Sequence, residues 1–232
     1  VKISALGFGA MRLPEFEKDG KWYIDEEEAL KIIHRAFELG VNYIDTAYGY
    51  SHGNNEYVVG KALKGYRNRV YVSTKVPTWL VKKKDDYRRF LEEQLRRLDT
   101  DYIDFYHFHS VSKDSWENII LKFNLLDDAR KAKDEGLIKH ISFSFHDKPE
   151  LMKEIADTGV FETVLCQYNL LDRSNEEAIS YVREKGLGTV IMGPVAGGRL
   201  SAPSEVFAKT FGREAKSTPE VALRFVLGNP DV

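Results

Sequence analysis

The chain has 232 residues, 43% of them hydrophobic and 30% charged, with a formal net charge of -2. A chain of this length can bury a core without covalent staples, and its near-neutral charge argues against nucleic-acid and membrane partners. Its single cysteine, Cys166, excludes a disulfide framework or a cysteine metal site within the chain, and its apolar neighbours predict a buried, inert thiol. No signal peptide or membrane-length apolar run is visible, so we expect a cytoplasmic protein.

Short apolar runs alternate with longer amphipathic segments along the chain. Runs of this length and composition are typical of buried strands. They predict seven strands: Ile3 to Phe8, Tyr43 to Asp45, Val70 to Lys75, Ile103 to His109, Lys139 to Ser144, Thr163 to Gln167 and Gly188 to Met192.

The amphipathic segments predict helices between the strands. The first begins at Asp25, with Glu28 as its capping-box partner, and ends at Gly40. Its buried face is predicted to carry Ala29, Ile33, Ala36 and Phe37. Later helices are predicted from about Lys84 to Leu98, from about Leu125 to Glu135, and from near Pro149, Asn175 and Thr218, the last with Thr218 as its cap and Pro219 in the first helical position.

Alternating strands and helices predict an α/β fold with a parallel sheet. No Pro/Gly/Ser-rich linker divides the chain, so residues 1–232 are predicted to form a single domain. The first strand leads into GFGAMRLP, which lacks the GxGxxG fingerprint of an open dinucleotide-binding sheet. This favours a closed (β/α)8 TIM-type barrel. About seven units are visible, and we expect the last strand and helix, with some N-terminal residues, to lie outside this chain.

Polar side chains stand at the carboxyl ends of the predicted strands, where parallel barrels place their sites. In chain order they are Asp45 and Tyr50, Lys75, His109, Ser144 and Gln167. A tyrosine has a pKa near 10, and a neighbouring lysine would lower it enough to help the phenol act as a proton donor. Asp45 could supply the counter-charge that a buried Lys75 needs, and His109 could hydrogen-bond a substrate oxygen.

Each of these residues also has a simpler interpretation. Asp45 could cap the following loop, Lys75 could extend to solvent, and His109 could fill the core. The occurrence of all of them at three successive strand ends favours a functional site.

A zinc site is an alternative, as in metal-dependent barrel hydrolases. His107 and His109 are two residues apart and so share one face of a strand, and Asp45 or His146 could complete the ligand set. In such hydrolases, however, the pair usually lies on the first strand and not on the fourth. We therefore predict no metal, with His107 as a polar filler one layer deeper in the barrel.

The motifs DTAYGY, VSTK, DYIDFYHFH and CQYN, in this order and spacing, resemble those of the aldo-keto reductase family over nearly the whole chain. The resemblance implies hydride transfer from a nicotinamide cofactor to a small-molecule carbonyl. The family pattern DxAYxY makes Tyr50, and not Tyr48, the proton donor. Lys75, Asp45 and His109 match the other members of the catalytic set, and the HGNNE segment is expected to be a flexible rim leading into the next helix.

The resemblance also implies a cofactor site without a Rossmann fingerprint. Ser144 and Gln167 match residues that hold the nicotinamide carboxamide, although Phe145 in SFH replaces the family's usual asparagine. NADP(H) is the expected cofactor, with NAD(H) as the alternative. The remaining residues matched to the cofactor cleft are Met11 and Arg12 at its lip, Asp45, Met192 beside the ring, and Gly193, Val195 and Gly197 in the pyrophosphate loop IMGPVAGG.

Two further possibilities follow from the resemblance. The motifs FSFHD and DFYHFH, with KDSWE, resemble a prokaryotic subgroup that often bears a ferredoxin-like C-terminal segment. An iron–sulfur cluster is therefore expected only if a longer parent chain carries a cysteine-rich segment. Some family members act mainly as cofactor-sensing or structural subunits, and the intact Asp45, Tyr50, Lys75 and His109 set argues against that role here.

Overall fold

A computed structural model of the chain describes residues 1–211 and 217–232. The strands are β1 (Phe8–Gly9), β2 (Glu15–Lys18), β3 (Lys21–Ile24), β4 (Tyr43–Asp45), β5 (Tyr71–Val76), β6 (Ile103–Val111), β7 (Ile138–Phe145), β8 (Thr163–Gln167) and β9 (Gly188–Met192). The α-helices are α1 (Glu26–Glu38), α2 (Asn55–Leu63), α3 (Asp86–Leu98), α4 (Lys113–Ser115), α5 (Leu125–Asp134), α6 (Pro149–Asp157), α7 (Glu176–Glu184), α8 (Glu205–Phe211) and α9 (Thr218–Leu227).

The chain divides into two compact units. The first comprises Val1–His109 with Asp114–Phe143, and the second comprises Ser110–Lys113 with Ser144–Val232. The prediction that residues 1–232 form one domain stays a prediction. No helix in the described ranges is long and apolar enough to cross a membrane.

Parallel strands organise each unit. In the first unit β1, β4, β5 and β6 are neighbours in that order, and Lys75 on β5 stands opposite His107 on β6. In the second unit β8 and β9 pair in parallel from Thr163 and Gly188 to Gln167 and Met192. Because parallel strands end at the same edge, the ends of β4, β5 and β6 bring their polar residues together.

Most predicted elements are present, because their apolar periodicity is strong. The predicted strands from Tyr43 to Asp45, from Thr163 to Gln167 and from Gly188 to Met192 coincide with β4, β8 and β9. In α1 the Asp25 carboxylate accepts a hydrogen bond from the Glu28 amide at 3.1 Å, as the capping box predicts. Ala29, Ile33 and Phe37 are buried there, whereas Ala36 is partly exposed.

The first strand is much shorter than predicted. Only Phe8 and Gly9 pair with β4, so the prediction of a strand from Ile3 is wrong. The preceding segment is held by side chains: the Asn42 carboxamide accepts from the Ser4 amide at 2.6 Å, and the Ser4 hydroxyl accepts from the Asn42 amide at 3.1 Å. Side-chain bonds of this kind compete with a strand ladder for the same backbone groups.

Two further details differ from the sequence prediction. The cap of α9 is Ser217, whose hydroxyl accepts from the Glu220 amide, and not Thr218, which is the first helical residue. Strands β2 and β3 form an unpredicted antiparallel hairpin around Asp19 and Gly20, both with positive φ. An Asp-Gly turn is a common hairpin signal, but most of the hairpin is exposed and lacks the apolar alternation that marks a strand.

The contact between α2 and α3 leaves no room at Gly60. A Cβ atom there would lie 2.7 Å from the carbonyl oxygen of Leu98 and 2.9 Å from that of Arg97, both at the end of α3. Backbone atoms at this distance have to move if a methyl group is added. The glycine therefore fixes how closely the two helices approach.

We expect Gly60→Ala to reduce the free energy of unfolding by about 1–3 kcal/mol, since overpacking forces backbone shifts. Urea unfolding measures this change. Gly9→Ala is the matched control, because a Cβ there has no atom within 4 Å and the φ is -86°. Equal stability of the two variants would contradict the steric argument.

Candidate active site

A buried ion pair joins the ends of β4 and β5. The Lys75 ammonium lies 2.8 Å and 2.7 Å from the two carboxylate oxygens of Asp45 and donates to the Thr46 carbonyl at 2.7 Å. Lys75 is 1% exposed. Burial acts to lower the pKa of Lys75, but Asp45 and the neighbouring Tyr50 outweigh it, so the pKa is raised above its ordinary value. Lys75 is thus a permanent cation at neutral pH.

Tyr50 is the phenol that reaches this ion pair. Its hydroxyl accepts a hydrogen bond from the Lys75 ammonium at 3.2 Å, and the ammonium lies 4.8 Å from the ring centroid. Burial raises the pKa of Tyr50 and Lys75 lowers it, with a net shift upward. The sequence-based expectation was a lowered pKa; Lys75 acts in that direction, but burial is the larger effect. Tyr50 therefore holds its proton at neutral pH.

Tyr48 points to a different environment. Its hydroxyl donates to the Glu93 carboxylate at 3.2 Å, and the Arg97 guanidinium lies 3.9 Å from its ring centroid. The ring also packs edge-on against Phe90 of α3. Tyr48 thus contacts helix α3, and its partners differ from those of Tyr50.

His109 lies beside Tyr50 at the end of β6. The two ring centroids are 6.0 Å apart with the planes at 81°, and the centroid of the Trp79 ring lies 5.0 Å from that of His109. The Thr78 hydroxyl donates to the His109 carbonyl at 2.8 Å and fixes its backbone. The four predicted residues Asp45, Tyr50, Lys75 and His109 are therefore brought together.

His107 lies deeper than His109. It is 1% exposed and shares a hydrogen bond with the Ser73 hydroxyl at 2.9 Å, and Ser73 also donates to Asp45 at 2.9 Å. Burial, and next the charge of Lys75, hold its pKa well below the ordinary value, so the imidazole is neutral. Across residues 1–211 and 217–232 no three His, Cys, Asp or Glu side chains form a metal-binding group.

The residues matched to the carboxamide lie at strand ends in the second unit. The Ser144 hydroxyl accepts from the Ser110 amide at 2.7 Å, and the Gln167 carboxamide donates to Asp172 at 3.3 Å. Phe145, which replaces the family's asparagine, is buried. Both Ser144 and Gln167 are thus held in place by neighbouring chain segments.

The loop after β9 has an open, glycine-rich backbone. Gly193 and Gly197 have φ values of 67° and 66°, and a Cβ atom at either would have no neighbour within 4 Å. The buried Asn169 amide donates to the Gly193 carbonyl at 3.1 Å and anchors the loop, while Met192 and Val195 are partly exposed. Left-handed glycines expose backbone N–H groups, and such loops bind phosphate oxygens.

The last two predicted residues lie after β1 in the first unit. Met11 and Arg12 belong to a 3-10 helix, Ala10–Arg12, and both are exposed. Cys166 is buried as predicted, and burial raises its pKa to about 12.

Sequence reasoning missed two buried polar residues beside the site. It treated HGNNE as a flexible rim, but Asn55 and Glu56 are both 0% exposed at the start of α2. The Glu56 carboxylate accepts from the Thr74 hydroxyl at 2.6 Å and from the Gln94 amide at 2.5 Å, and the Gln94 amide also donates to the Lys75 carbonyl at 3.1 Å. No local pattern distinguishes a buried loop asparagine from an exposed one, since its burial depends on tertiary packing.

A buried ion pair, a phenol and a histidine thus lie side by side next to the ends of β4, β5 and β6. The chain matches the sequence model of the aldo/keto reductase family over residues 5–231. It belongs to that family.

Relatives of known sequence or structure agree with this assignment. The chain is 32% identical over 209 residues to the uncharacterized oxidoreductase YqkF of Bacillus subtilis, covering 86% of this chain and 63% of YqkF. It therefore spans less than two thirds of that relative. The holo form of the aldo-keto reductase AKR11C1 from Bacillus halodurans is 32% identical with a TM-score of 0.81, covering 99% of this chain and 80% of that one. An aldo-keto reductase from Klebsiella pneumoniae in complex with NADPH is 26% identical with a TM-score of 0.81, covering 99% and 79%.

The predicted fold class is confirmed by these matches, because the structural neighbours are TIM-barrel proteins. Whether a last strand and helix lie outside this chain stays a prediction.

We expect Lys75→Met to lower the free energy of unfolding by about 3 kcal/mol, because it leaves the partly buried Asp45 carboxylate without its cation. Tyr50→Phe should cost no more than about 1 kcal/mol, since it removes one hydrogen bond. Urea unfolding at pH 7 measures both. An equal loss of unfolding free energy in the two variants would show that the ion pair contributes no more than the Tyr50 hydrogen bond, contrary to this prediction.

The stabilisation by Lys75 should depend on pH. Its folded-state pKa is raised above the unfolded value, so the contribution is fully present below the unfolded pKa of about 10.4 and is lost as pH rises through the folded pKa. The difference in unfolding free energy between the wild type and Lys75→Met should stay constant from about pH 7 to 9 and shrink above about pH 10.4. A difference that grows above that pH would have the wrong sign for this mechanism.

Proposed function

We propose that this protein reduces an aldehyde or ketone with a nicotinamide cofactor and that Tyr50 donates the proton to the carbonyl oxygen. The observation that carries the proposal is the Lys75 ammonium, which lies 3.2 Å from the Tyr50 hydroxyl and 2.7 Å from the Asp45 carboxylate. A buried phenol beside a permanent cation can give up a proton to an oxygen that gains negative charge. No metal ion is needed for this proton transfer.

Each residue of the set has a distinct task in this scheme. The raised pKa keeps Tyr50 protonated until a carbonyl oxygen accepts the proton, and Lys75 then stabilises the phenolate that remains. Asp45 keeps the buried Lys75 charged, and the Thr46 carbonyl fixes its direction. His109, beside Tyr50, is placed to hydrogen-bond the substrate oxygen.

The donor groups of the second unit fit a nicotinamide dinucleotide. The open backbone at Gly193 and Gly197, with Val195 between them, suits the pyrophosphate, and the polar Ser144 and Gln167 side chains suit the carboxamide. Met192 is proposed to contact the ring. When bound, the reduced cofactor supplies the hydride to the carbonyl carbon.

Three residues of the first unit are also proposed to bind the cofactor. Met11 and Arg12 are exposed on the 3-10 helix after β1, and Asp45 is the third. NADP(H) is the proposed cofactor because the relative from Klebsiella pneumoniae was solved with NADPH.

The remaining features of the chain support a small-molecule reductase. The net charge of -2 does not favour binding to nucleic acid, and we propose a cytoplasmic enzyme whose partner is a small carbonyl compound.

Tyr50→Phe should lower carbonyl turnover by at least about 10²- to 10⁴-fold, the range that general acid catalysis contributes. Tyr48→Phe should retain turnover, because the Tyr48 hydroxyl bonds Glu93 and not Lys75. Both variants keep the aromatic ring, so they form a matched pair. Steady-state rates with an activated aldehyde or a quinone measure the effect. An inactive Tyr48→Phe beside an active Tyr50→Phe would reassign the proton donor.

NADPH should bind and its fluorescence should change on titration, and Tyr50→Phe should bind it as tightly as the wild type. We also expect a chelator to leave turnover unchanged, because the proposed proton transfer needs no metal ion. Binding without turnover by any carbonyl would favour a cofactor-sensing role, and failure of both NADPH and NADH to bind would contradict the reductase proposal. Activity lost to a chelator and restored by zinc would point instead to His107 and His109.

A further inference from the structure

Asn55 lies in the first turn of α2, and both the oxygen and the nitrogen of its buried side-chain amide form hydrogen bonds. Its carbonyl oxygen accepts from the Thr46 hydroxyl at 2.7 Å, and its nitrogen donates to the Ala10 carbonyl at 2.7 Å and to the Ser51 hydroxyl at 3.2 Å. The residue is 0% exposed. Both polar atoms of this amide are hydrogen-bonded, and the three bonds restrict the positions of their partners.

Two of these partners flank Tyr50 in the chain. Thr46 lies four residues before it, and Ser51 follows it directly. The Thr46 backbone is itself tied to the ion pair, because its carbonyl accepts from Lys75 at 2.7 Å and its amide donates to the Ser73 carbonyl at 2.9 Å. Asn55 thus links the backbone on both sides of Tyr50 to the structure around Lys75.

The backbone after Tyr50 is in a conformation that needs such support. Ser51, His52 and Gly53 have φ values of 47°, 56° and 88° in succession. Left-handed conformations cost free energy for residues other than glycine, and they persist where surrounding contacts impose them. The Asn55 amide supplies one of those contacts directly, through the Ser51 hydroxyl.

We infer that Asn55 is a positioning residue, which holds the Tyr50 hydroxyl at its contact with Lys75 through Thr46 and Ser51. The inference rests on the function proposed above, in which Tyr50 is the proton donor. A residue at the start of α2 thus affects the proposed reaction indirectly, because Asn55 does not contact the reacting groups. The strength of the Lys75 effect on Tyr50 falls with distance, so a displaced phenol has a higher pKa and is a poorer acid.

Asn55→Ala should lower kcat by at least about tenfold, since misplacement of a reacting group by an ångström can cost a hundredfold. Its affinity for NADPH is measured alongside, because the side chain also bonds the Ala10 carbonyl, next to Met11 and Arg12 of the proposed cofactor set. A loss of affinity with an unchanged kcat would contradict the positioning role. Asn118→Ala is the matched control: Asn118 is exposed and its amide donates to Asp114, so the variant should behave as the wild type.

Thr46 offers a pair of variants that separates positioning from general loss of structure. Thr46→Val removes the hydroxyl bond to Asn55 and keeps the shape and the backbone carbonyl. Thr46→Ser keeps that hydroxyl. We expect Thr46→Val to lower kcat and Thr46→Ser to keep kcat near that of the wild type. The double variant Asn55→Ala/Thr46→Val should lose less kcat than the two single losses combined would give, because both changes break the same hydrogen bond.

A second readout does not depend on turnover. In protein with tyrosine labelled with ¹³C at Cζ, the Tyr50 resonance is identified by its absence from Tyr50→Phe. Asn55→Ala and Thr46→Val should shift the titration of this resonance to higher pH. The Tyr106 resonance should stay unchanged, since the Tyr106 hydroxyl donates to Gln94 at 2.7 Å.

These measurements distinguish the inference from the proposed function. A wild type without turnover, but with a Tyr50 titration that moves in both variants, would contradict the reductase proposal and support the positioning role. Wild-type turnover with unchanged kcat and titration in the variants would overturn the positioning role alone. If Asn55→Ala does not fold, Thr46→Val and Ser51→Gly decide, because Ser51→Gly removes the hydroxyl together with the rest of the side chain, and glycine suits the positive φ at position 51.

Discussion

The buried ion pair between Lys75 and Asp45 is the constraint on which the rest of the site depends. An ammonium that is 1% exposed needs compensation, and Asp45, the Thr46 carbonyl and the Tyr50 hydroxyl all converge on it. A lone buried charge is very unfavourable, so these groups are ordered by the same requirement that keeps the lysine charged. The geometry proposed for proton transfer is therefore also the geometry that makes burial of Lys75 tolerable.

The sequence predicted the parts of the site that follow from strand periodicity. Asp45, Lys75 and His109 lie at the ends of runs with clear apolar patterns, and parallel pairing then forces them to one edge. The choice of Tyr50 over Tyr48 as proton donor came from the family motif and stays a prediction; the Tyr50 hydroxyl contacts Lys75, whereas the Tyr48 hydroxyl contacts Glu93. The N-terminal segment from Ile3 to Gly7 was assigned wrongly, because side-chain bonds between Ser4 and Asn42 compete with strand pairing.

What the sequence could not predict depends on burial. Asn55 and Glu56 look like loop residues, and only the packing of α2 shows that both are fully enclosed. The upward shift of the Tyr50 pKa also depends on burial. The motif indicated the lowering effect of Lys75, but not the larger raising effect of burial. Charge and apolar periodicity can be recognised in a local sequence pattern, whereas the burial of a polar side chain cannot.

The enclosure of Lys75 also separates it chemically from the other lysines of the chain. Amine-directed reagents and acyl donors attack the neutral, accessible amine, whereas Lys75 is buried and its pKa is raised above the ordinary value. Lys82, Lys83 and Lys84 are exposed at the approach to α3. Acylation, or coupling to an activated support, would therefore modify the surface amines first and leave the ammonium beside Tyr50 intact.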